Sequence, residues 1–367
     1  PWAMLLTGFI ISIPVFLDVA LVILAPLLYA LARDTKKSVL VFGLPLVAGM
    51  AVTHAFVPPT PGPVSVAYFL DVSLGYVIGF GVLVGLPTAI ICGPFLCSKM
   101  AKLVEAPKIP ELQSNENEST KDLPSFKIIC GLIALPIVLI LSQTIVQEMA
   151  TSGIASGLTD AERKVEVARL LNELDIWKQF ILFIGHPIIA LMASTLLAIW
   201  FLGTKRGTSK EDLVEISTKA LGPAGIIILI TGAGGVFKGV LTATGIADAL
   251  KELFIGSPIP IIVLAYIFAT LVRIAQGSAT VAMLTAAGLM ASFVEGFTQP
   301  YLALIACAIA AGATGFSHVN DSGFWMISRY LGMTEKQTLK TWTVISTAIS
   351  LVSFGIILIL SLFIPMK

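Results

Sequence analysis

The chain has 367 residues, 56% of them hydrophobic and only 12% charged, where a soluble globular domain carries about 25% charged residues. That excludes a soluble protein. The 23 basic and 22 acidic side chains leave a net charge of +1, which excludes a strongly basic nucleic-acid binder and an acidic interaction tail.

Stretches free of Asp, Glu, Lys and Arg run from Ser38 to Leu70, Val72 to Ser98, Gln179 to Thr204, Gly296 to Asn320 and Thr341 to Met366. Each exceeds the roughly 20 residues that cross a bilayer as a helix. The expected fold is an all-α polytopic membrane protein. In chain order, Trp2 to Ala32 is long enough to cross, but Pro14 and Asp18 near its centre predict a broken span, because proline removes an N–H and clashes with the preceding turn. After the polar turn Arg33 to Lys37, an apolar helix runs into Pro58-Pro59-Thr60-Pro61-Gly62-Pro63. Too few residues then remain before Asp71 to complete a crossing, so Val39 to Leu70 is expected to be a re-entrant hairpin with its tip at Pro58 to Pro63. Such backbone persists in a membrane only against protein or a water-filled cavity.

Gly75 to Cys97 predicts a plain span, Lys99 to Lys127 a polar loop, and Ile128 to Val146 a return span. Glu148 to Asp175 follows as a charged external segment, then a span over Phe180 to Leu202 in which His186 is expected to pack in the core, then a second hydrophilic loop, Gly203 to Lys219. Leu221 to Leu253 contains Gly232-Ala233-Gly234-Gly235 and Lys238 and is expected to be interrupted. Ile259 to Met290 carries Arg273 and Gln276-Gly277-Ser278 and is expected to break there. Tyr301 to Leu331 reads as a second hairpin with its tip at Phe316 to Gly323, and Trp342 to Phe363 as the final span. The four cysteines, Cys92, Cys97, Cys130 and Cys307, lack metal-ligand spacing and are expected to pack as small apolar groups, with no metal site.

Shifting the first hundred residues by 260 superimposes the break at Asp18 on Ser278, Leu44 on Leu304, Ala48 on Ala308 and Phe56 on Phe316, and the tip Pro58 to Pro63 on His318 to Gly323. This predicts two inverted repeats with broken helices and re-entrant hairpins, a build used by secondary transporters. The expected divisions are residues 1–98 (first repeat), 99–219 (hydrophilic loops and connecting scaffold spans) and 220–367 (second repeat). Leu221 to Leu253 has no partner in the first copy, and the chain starts at Pro1 without Met, so a further upstream span is expected. Counted by face, 12 Lys and Arg against 9 weakly favour the face with the two hydrophilic loops as cytoplasmic.

Ionisable groups near the bilayer centre cost roughly 2.5–3.5 kcal/mol each, so they are candidates for function. They are Asp18, His54, Lys238, Arg273, His318 and Asp321. Half-helices starting near Pro63, Ser278 and Ser322 would aim N–H groups at an anion, and Arg273 can add a bidentate carboxylate contact. Structural alternatives stay open: Asp18 can cap a half-helix with Arg273 as its counter-ion, and Lys238 can snorkel. Gly315-Phe316-Ser317-His318 has a superficial likeness to a hydrolase elbow, but a nucleophile adjacent to its base lacks the required arrangement.

The segments Gly8 to Val19, His54 to Pro63 and Gly315 to Trp325 resemble the gluconate permease family of proton symporters, over essentially the whole chain. The family's first spans have no counterpart here. The resemblance implies a bacterial inner-membrane, multi-pass carrier in a larger ion-transporter group, with a scaffold and a moving transport domain, taking up gluconate or related sugar acids with protons. Sodium coupling and a D-serine or other small-carboxylate substrate remain alternatives in the same class, and an intramembrane hydrolase is the alternative outside it. Substrate binding is expected at Arg273, Thr60, Gly62, Ser65, Gln276, Gly277, Ser278, Asn320 and Ser322. Proton coupling is expected at Asp18, His318 and Asp321, with His54 and Lys238 as further candidates. No cofactor is expected. The expected partners are the bilayer, an anionic gluconate-like solute and a second copy in a homodimer.

Overall fold

A computed structural model describes residues 1–13, 16–104, 124–151, 160–244, 259–294 and 296–366. Regular structure among the described residues is helical. Leu40–Phe69, Leu74–Met100, Lys127–Thr151, Pro187–Arg206 and Glu335–Ser361 are long and apolar enough to cross a membrane. The protein is an all-α polytopic membrane protein. Internal contacts group it into two units, residues 1–72, 76–114 and 229–367 in the first, and residues 73–75 with 115–228 in the second.

The first unit holds ten helices that matter here: α1 (Trp2–Ile11), α2 (Leu17–Thr35), α3 (Leu40–Phe56), α4 (Pro61–Phe69), α5 (Leu74–Met100), then α11 (Ile261–Gln276), α12 (Ala279–Met290), α13 (Gln299–Thr314), α14 (Ser322–Tyr330) and α15 (Glu335–Ser361). The second unit contains α6 (Phe126–Thr151), α7 (Asp160–Asn172), α8 (Ile176–Gly185) and α9 (Pro187–Arg206). Helix α10 (Lys210–Ala243) continues from it.

Two expectations change in the middle of the chain. Phe180 to Leu202 is two helices, because Pro187 starts α9 and His186 before it is extended, exposed and not packed in a core. Helix α10 runs unbroken through Gly232 to Gly235: glycine lowers helix propensity by about 1 kcal/mol without ending the hydrogen-bond ladder. The Lys238 side chain and Asp248 lie outside what is described, as do Pro14 and Glu295. At the start of α8, Asp175 accepts the Trp177 and Lys178 amides at 3.1 Å, and those donors, the Lys178 amide foremost, hold its carboxyl below the usual carboxylate value.

The routing of the first unit also differs from expectation. Helix α5 lies antiparallel to α3 and α4 in one register: Gly85 meets Val52 and Phe56, Gly81 meets the Phe56 carbonyl, and Val77 clusters with Pro63 and Val66. Residues 40–69 therefore pass through the break at Val57–Thr60 and continue to the far end; they do not turn back. The prolines stop one helix, but Pro61 at the first position of α4 is preorganised to start the next in the same direction. Helix α15 shows the same relation to α13 and α14, with Ser350 at Gly315, Ser346 on the Ser317 amide, and the Met366 carbonyl accepting from the Thr298 amide.

The reversals lie in the segments expected to be broken spans. Helix α11 runs alongside α13, from Tyr266 at Gly312 to Gly277 at Asn320, and α12 returns to place Met283 with Ala306, Cys307 and Ala310. In the other half α1 runs with α3, its Gly8 against Leu46 and Met50 and its Phe9 carbonyl accepting from Thr53 at 2.8 Å. Helix α2 starts where Phe16 lies against His54 and runs back until Tyr29 donates to the Tyr330 carbonyl at 2.6 Å, next to Leu331, which packs on Gly43.

This routing gathers Arg33, Lys36, Lys37, Lys99, Lys102, Arg329, Lys336 and Lys340 at one end of the unit; the 12-to-9 count from the sequence places Arg33, Lys36 and Lys37 among the 9, and the routing moves them to the face of the 12. Loops 70–72, 291–294, 296–298 and 362–366 at the other end carry no Lys or Arg. The α1–α3 contact depends on close backbone approach, since a Cβ on Gly49 would press on the Leu5 carbonyl and the Phe9 amide. Gly49→Val is expected to destabilise the protein by about 1–3 kcal/mol through overpacking, measured as a lower unfolding midpoint in detergent.

Candidate functional site

The site forms where the α11–α12 reversal meets the break between α13 and α14. Gly277 ends α11 with φ +80° in the left-handed region, open to glycine at little cost. Its missing side chain admits the Asn320 carbonyl. Ser278 then caps α12, its hydroxyl accepting the Val281 amide at 3.3 Å, and Asp321 caps α14 by accepting the Gly323 amide at 2.9 Å. Two helix N-termini are thus set side by side, each satisfied by a side-chain oxygen.

Arg273 joins them. It is 4% exposed; Nε donates to the Gly315 carbonyl at 3.1 Å, Nη1 to the Gly277 carbonyl, and Nη2 to Asp321 Oδ2 at 2.5 Å. The guanidinium is one charge with a rigid fork of donors, and all three of its nitrogens are engaged. Asp321 Oδ2 also accepts from Ser317 Oγ at 2.5 Å. Ser317 is in turn held by α15: Trp342 Nε1 donates to its hydroxyl at 2.8 Å, Thr343 to its carbonyl at 2.5 Å, and its amide donates to Ser346 Oγ at 3.3 Å. The network locks the reversal, the break and α15 together through a buried ion pair.

Around this pair the polar surface is open. Gln276, Asn320 and Ser322 are exposed, and Asn320 Nδ2 donates to the Ile274 carbonyl at 2.9 Å. His318 is half-buried and its Nδ1 lies 2.7 Å from the Phe316 carbonyl. Ser317 has an acid and an indole as neighbours in place of the histidine a hydrolase nucleophile requires.

The remaining sequence candidates form a second group. Asp18 is exposed in the first turn of α2, and His54 lies at the end of α3 with a buried, unpartnered Nδ1. Thr60 is buried and its hydroxyl closes the break on itself, donating toward the His54 and Val57 carbonyls at 2.9 and 3.0 Å. Gly62 packs where a Cβ would come 2.8 Å from Met283 Sδ of α12, and Ser65 is buried one turn later. Arg273, Gly277, Asn320 and Asp321 are directly bonded or in contact, with Ser278 and Ser322 adjoining them at the two caps; Asp18, His54 and Thr60 belong to the other break.

Sequence reasoning does not single out Ser317, Trp342 or Ser346 as site residues. Only Ser346 has a signal, the spacing of Thr343, Ser346, Ser350 and Ser353 along one face of an otherwise apolar helix. Ser350 continues that stripe, 2.9 Å from the Tyr266 hydroxyl.

A family model described as GntP family permease matches residues 1–363. Among curated relatives, a gluconate permease of Pseudomonas aeruginosa is 34% identical over 98% of this chain and 76% of its own length. A gluconate permease of Bacillus subtilis is 36% identical over 98% of this chain and 78% of its own. The Gnt-II system L-idonate transporter of Escherichia coli is 32% identical over 95% of this chain and 74% of its own. With matches of this extent, the chain belongs to the GntP permease family and is a multi-pass inner-membrane permease, a transporter and not an enzyme.

Proposed function

We propose that the protein is a proton-coupled symporter of gluconate or a close sugar acid, built from two inverted repeats and working by alternating access. The relatives named for gluconate and L-idonate transport support the substrate class. Support for the repeats comes from the direction of the chain: a reversal followed by an interrupted crossing and a full-length helix occurs twice, over 2–100 and 261–361, with opposite sense. The basic end of the first unit is the cytoplasmic face in this reading.

The observation that carries the proposal is a buried Arg273–Asp321 pair at the junction of two helix N-termini, ringed by exposed Gln276, Asn320 and Ser322. A sugar acid presents one carboxylate and several hydroxyls; the dipole ends and Arg273 suit the first, and the amides with Ser278 and Ser322 suit the second. Thr60, Gly62 and Ser65 are the substrate-binding candidates of the other repeat, at the break between α3 and α4. Asp18, with His54 beside it, and Asp321 are the acidic groups available to carry a proton, with His318 adjoining.

Uptake of labelled gluconate into proteoliposomes under imposed gradients tests the reading. Accumulation under an inward proton gradient is expected, with competition by idonate. Accumulation under a sodium gradient alone would replace the proton, and no uptake of any sugar acid would remove the substrate class. Orientation has its own test: a cysteine at Lys37 and one at Lys336, in single-cysteine backgrounds, are expected to react with an impermeant maleimide only from the cytoplasmic side.

A further inference from the structure

We propose that Asp321 is an internal stand-in for the substrate carboxylate, and that its protonation is what hands Arg273 to the incoming sugar acid. This rests on the symport reading above and specifies its coupling step.

Arg273 is buried, and every nitrogen of its guanidinium already donates to a protein oxygen. Two of those acceptors, the Gly315 and Gly277 carbonyls, belong to the frame of the break and the reversal. The third, Asp321 Oδ2, is the only charged one, and it is the kind of group a sugar acid would bring. A substrate carboxylate entering beside an intact pair adds an uncompensated negative charge in a low-dielectric site, which is strongly disfavoured. Adding one proton to Asp321 removes that charge. The Nη2 N–H then shifts from Asp321 Oδ2 to a substrate oxygen, and the new O–H of Asp321 finds acceptors in the Ser317 hydroxyl or the substrate. Release reverses the exchange: the carboxylate leaves, Asp321 loses its proton, and the pair re-forms.

Local geometry suits this. The Asp321 side chain retains 11% exposure while Arg273 retains 4%, so the acid is the outer member, reached first from the surface of Gln276, Asn320 and Ser322. Ser317, held by Trp342 and α15, fixes Asp321 Oδ2 in place.

Other titratable groups around the pair are few. His318 lies three residues before Asp321 with Nδ1 on the Phe316 carbonyl. Tyr266 of α11 is bonded to Ser350. Helices α12 and α13 carry no Asp, Glu, Lys, Arg or His. Helix α14 carries Arg329 two turns beyond Asp321; α15 carries Glu335, Lys336 and Lys340 before Trp342, and α2, packed on α14, carries Asp18, Arg33 and Asp34.

The empty carrier holds Arg⁺ and Asp⁻; the loaded one holds Arg⁺, neutral Asp and the substrate anion. Both have zero net charge at the site, so transport is electroneutral, one proton with each carboxylate. Two measurements test this. In Asp321→Asn, which keeps a capping oxygen and imitates the protonated state, gluconate affinity is expected to become independent of pH, while the affinity of the natural protein is expected to fall as pH rises, by up to about tenfold per pH unit, the limit for one proton bound with each anion. Gluconate exchange should persist in that variant, and accumulation under a proton gradient should be lost. Unaltered pH dependence and accumulation in Asp321→Asn would overturn the proposal while leaving symport intact. If the variant does not insert, the natural protein decides alone: proton-driven gluconate uptake unaffected by a valinomycin-imposed potassium potential is expected, and uptake driven by that potential at equal pH on both sides overturns it. A natural protein with no response to a proton gradient would instead fail the symport reading itself.

Discussion

Arg273→Ala is expected to reduce the amount of folded protein recovered from membranes by about tenfold or more, with no measurable gluconate uptake by what remains. Removing the cation leaves Asp321 buried without its ion-pair partner, a change that costs about 3–5 kcal/mol. It also deprives the Gly315 and Gly277 carbonyls of their donors, each loss adding roughly 1–3 kcal/mol if no water replaces the guanidinium. Arg273→Lys keeps the charge but lacks the planar fork. One ammonium does not reproduce three bonds directed at Gly315, Gly277 and Asp321. The lysine variant is therefore expected to insert at near-normal levels and to transport at a small fraction of the natural rate. Immunoblots of the membrane fraction together with equilibrium gluconate binding separate folding from recognition. A fully inserted alanine variant with unchanged gluconate affinity would remove Arg273 from both roles.

Gly277→Val should be nearly as damaging, for a different reason. At φ +80° a β-branched residue is strained by about 1–3 kcal/mol, and any Cβ here runs into the Asn320 carbonyl, which is backbone and has no rotamer to escape into. The reversal and the break would be pushed apart and Arg273 would lose its reach. Complete loss of uptake is expected, with a lowered unfolding midpoint in detergent. Gly277→Ala shares the clash with less strain, so an intermediate loss is expected. A valine variant with normal uptake would show that the tip and the break do not have to touch for transport.

The sequence made the class and the polar centres legible because their physics is local. Long uncharged runs need a bilayer, and Arg273 in such a run needs a partner. What the residues did not disclose was direction. Proline at Pro58 and Pro59 interrupts a helix but is silent on whether the chain continues or turns back, so 40–69 read as a hairpin and the α11–α12 reversal as a broken span. Contacts far apart in sequence decide that, such as Phe56 with Gly81 and Tyr266 with Gly312. The partner of Arg273 was obscured for the same reason: Asp321 is 48 residues away, and Asp18 was an equally good candidate until α11 was seen to run beside α13. Ser317 and Trp342 were hidden because a serine or tryptophan in an apolar run carries no signal until its neighbour across the break is known.

Gluconate-driven proton entry is the most direct test of the account. The purified protein would be reconstituted with a pH-sensitive dye sealed inside the vesicles, in sodium-free buffer at equal pH, with an uncoupled potassium potential clamped at zero. Adding gluconate outside should acidify the interior in step with labelled gluconate uptake, about one proton per anion on the Arg273–Asp321 charge balance. Gluconate entry with no acidification, or entry that appears only when sodium is supplied, would contradict proton symport.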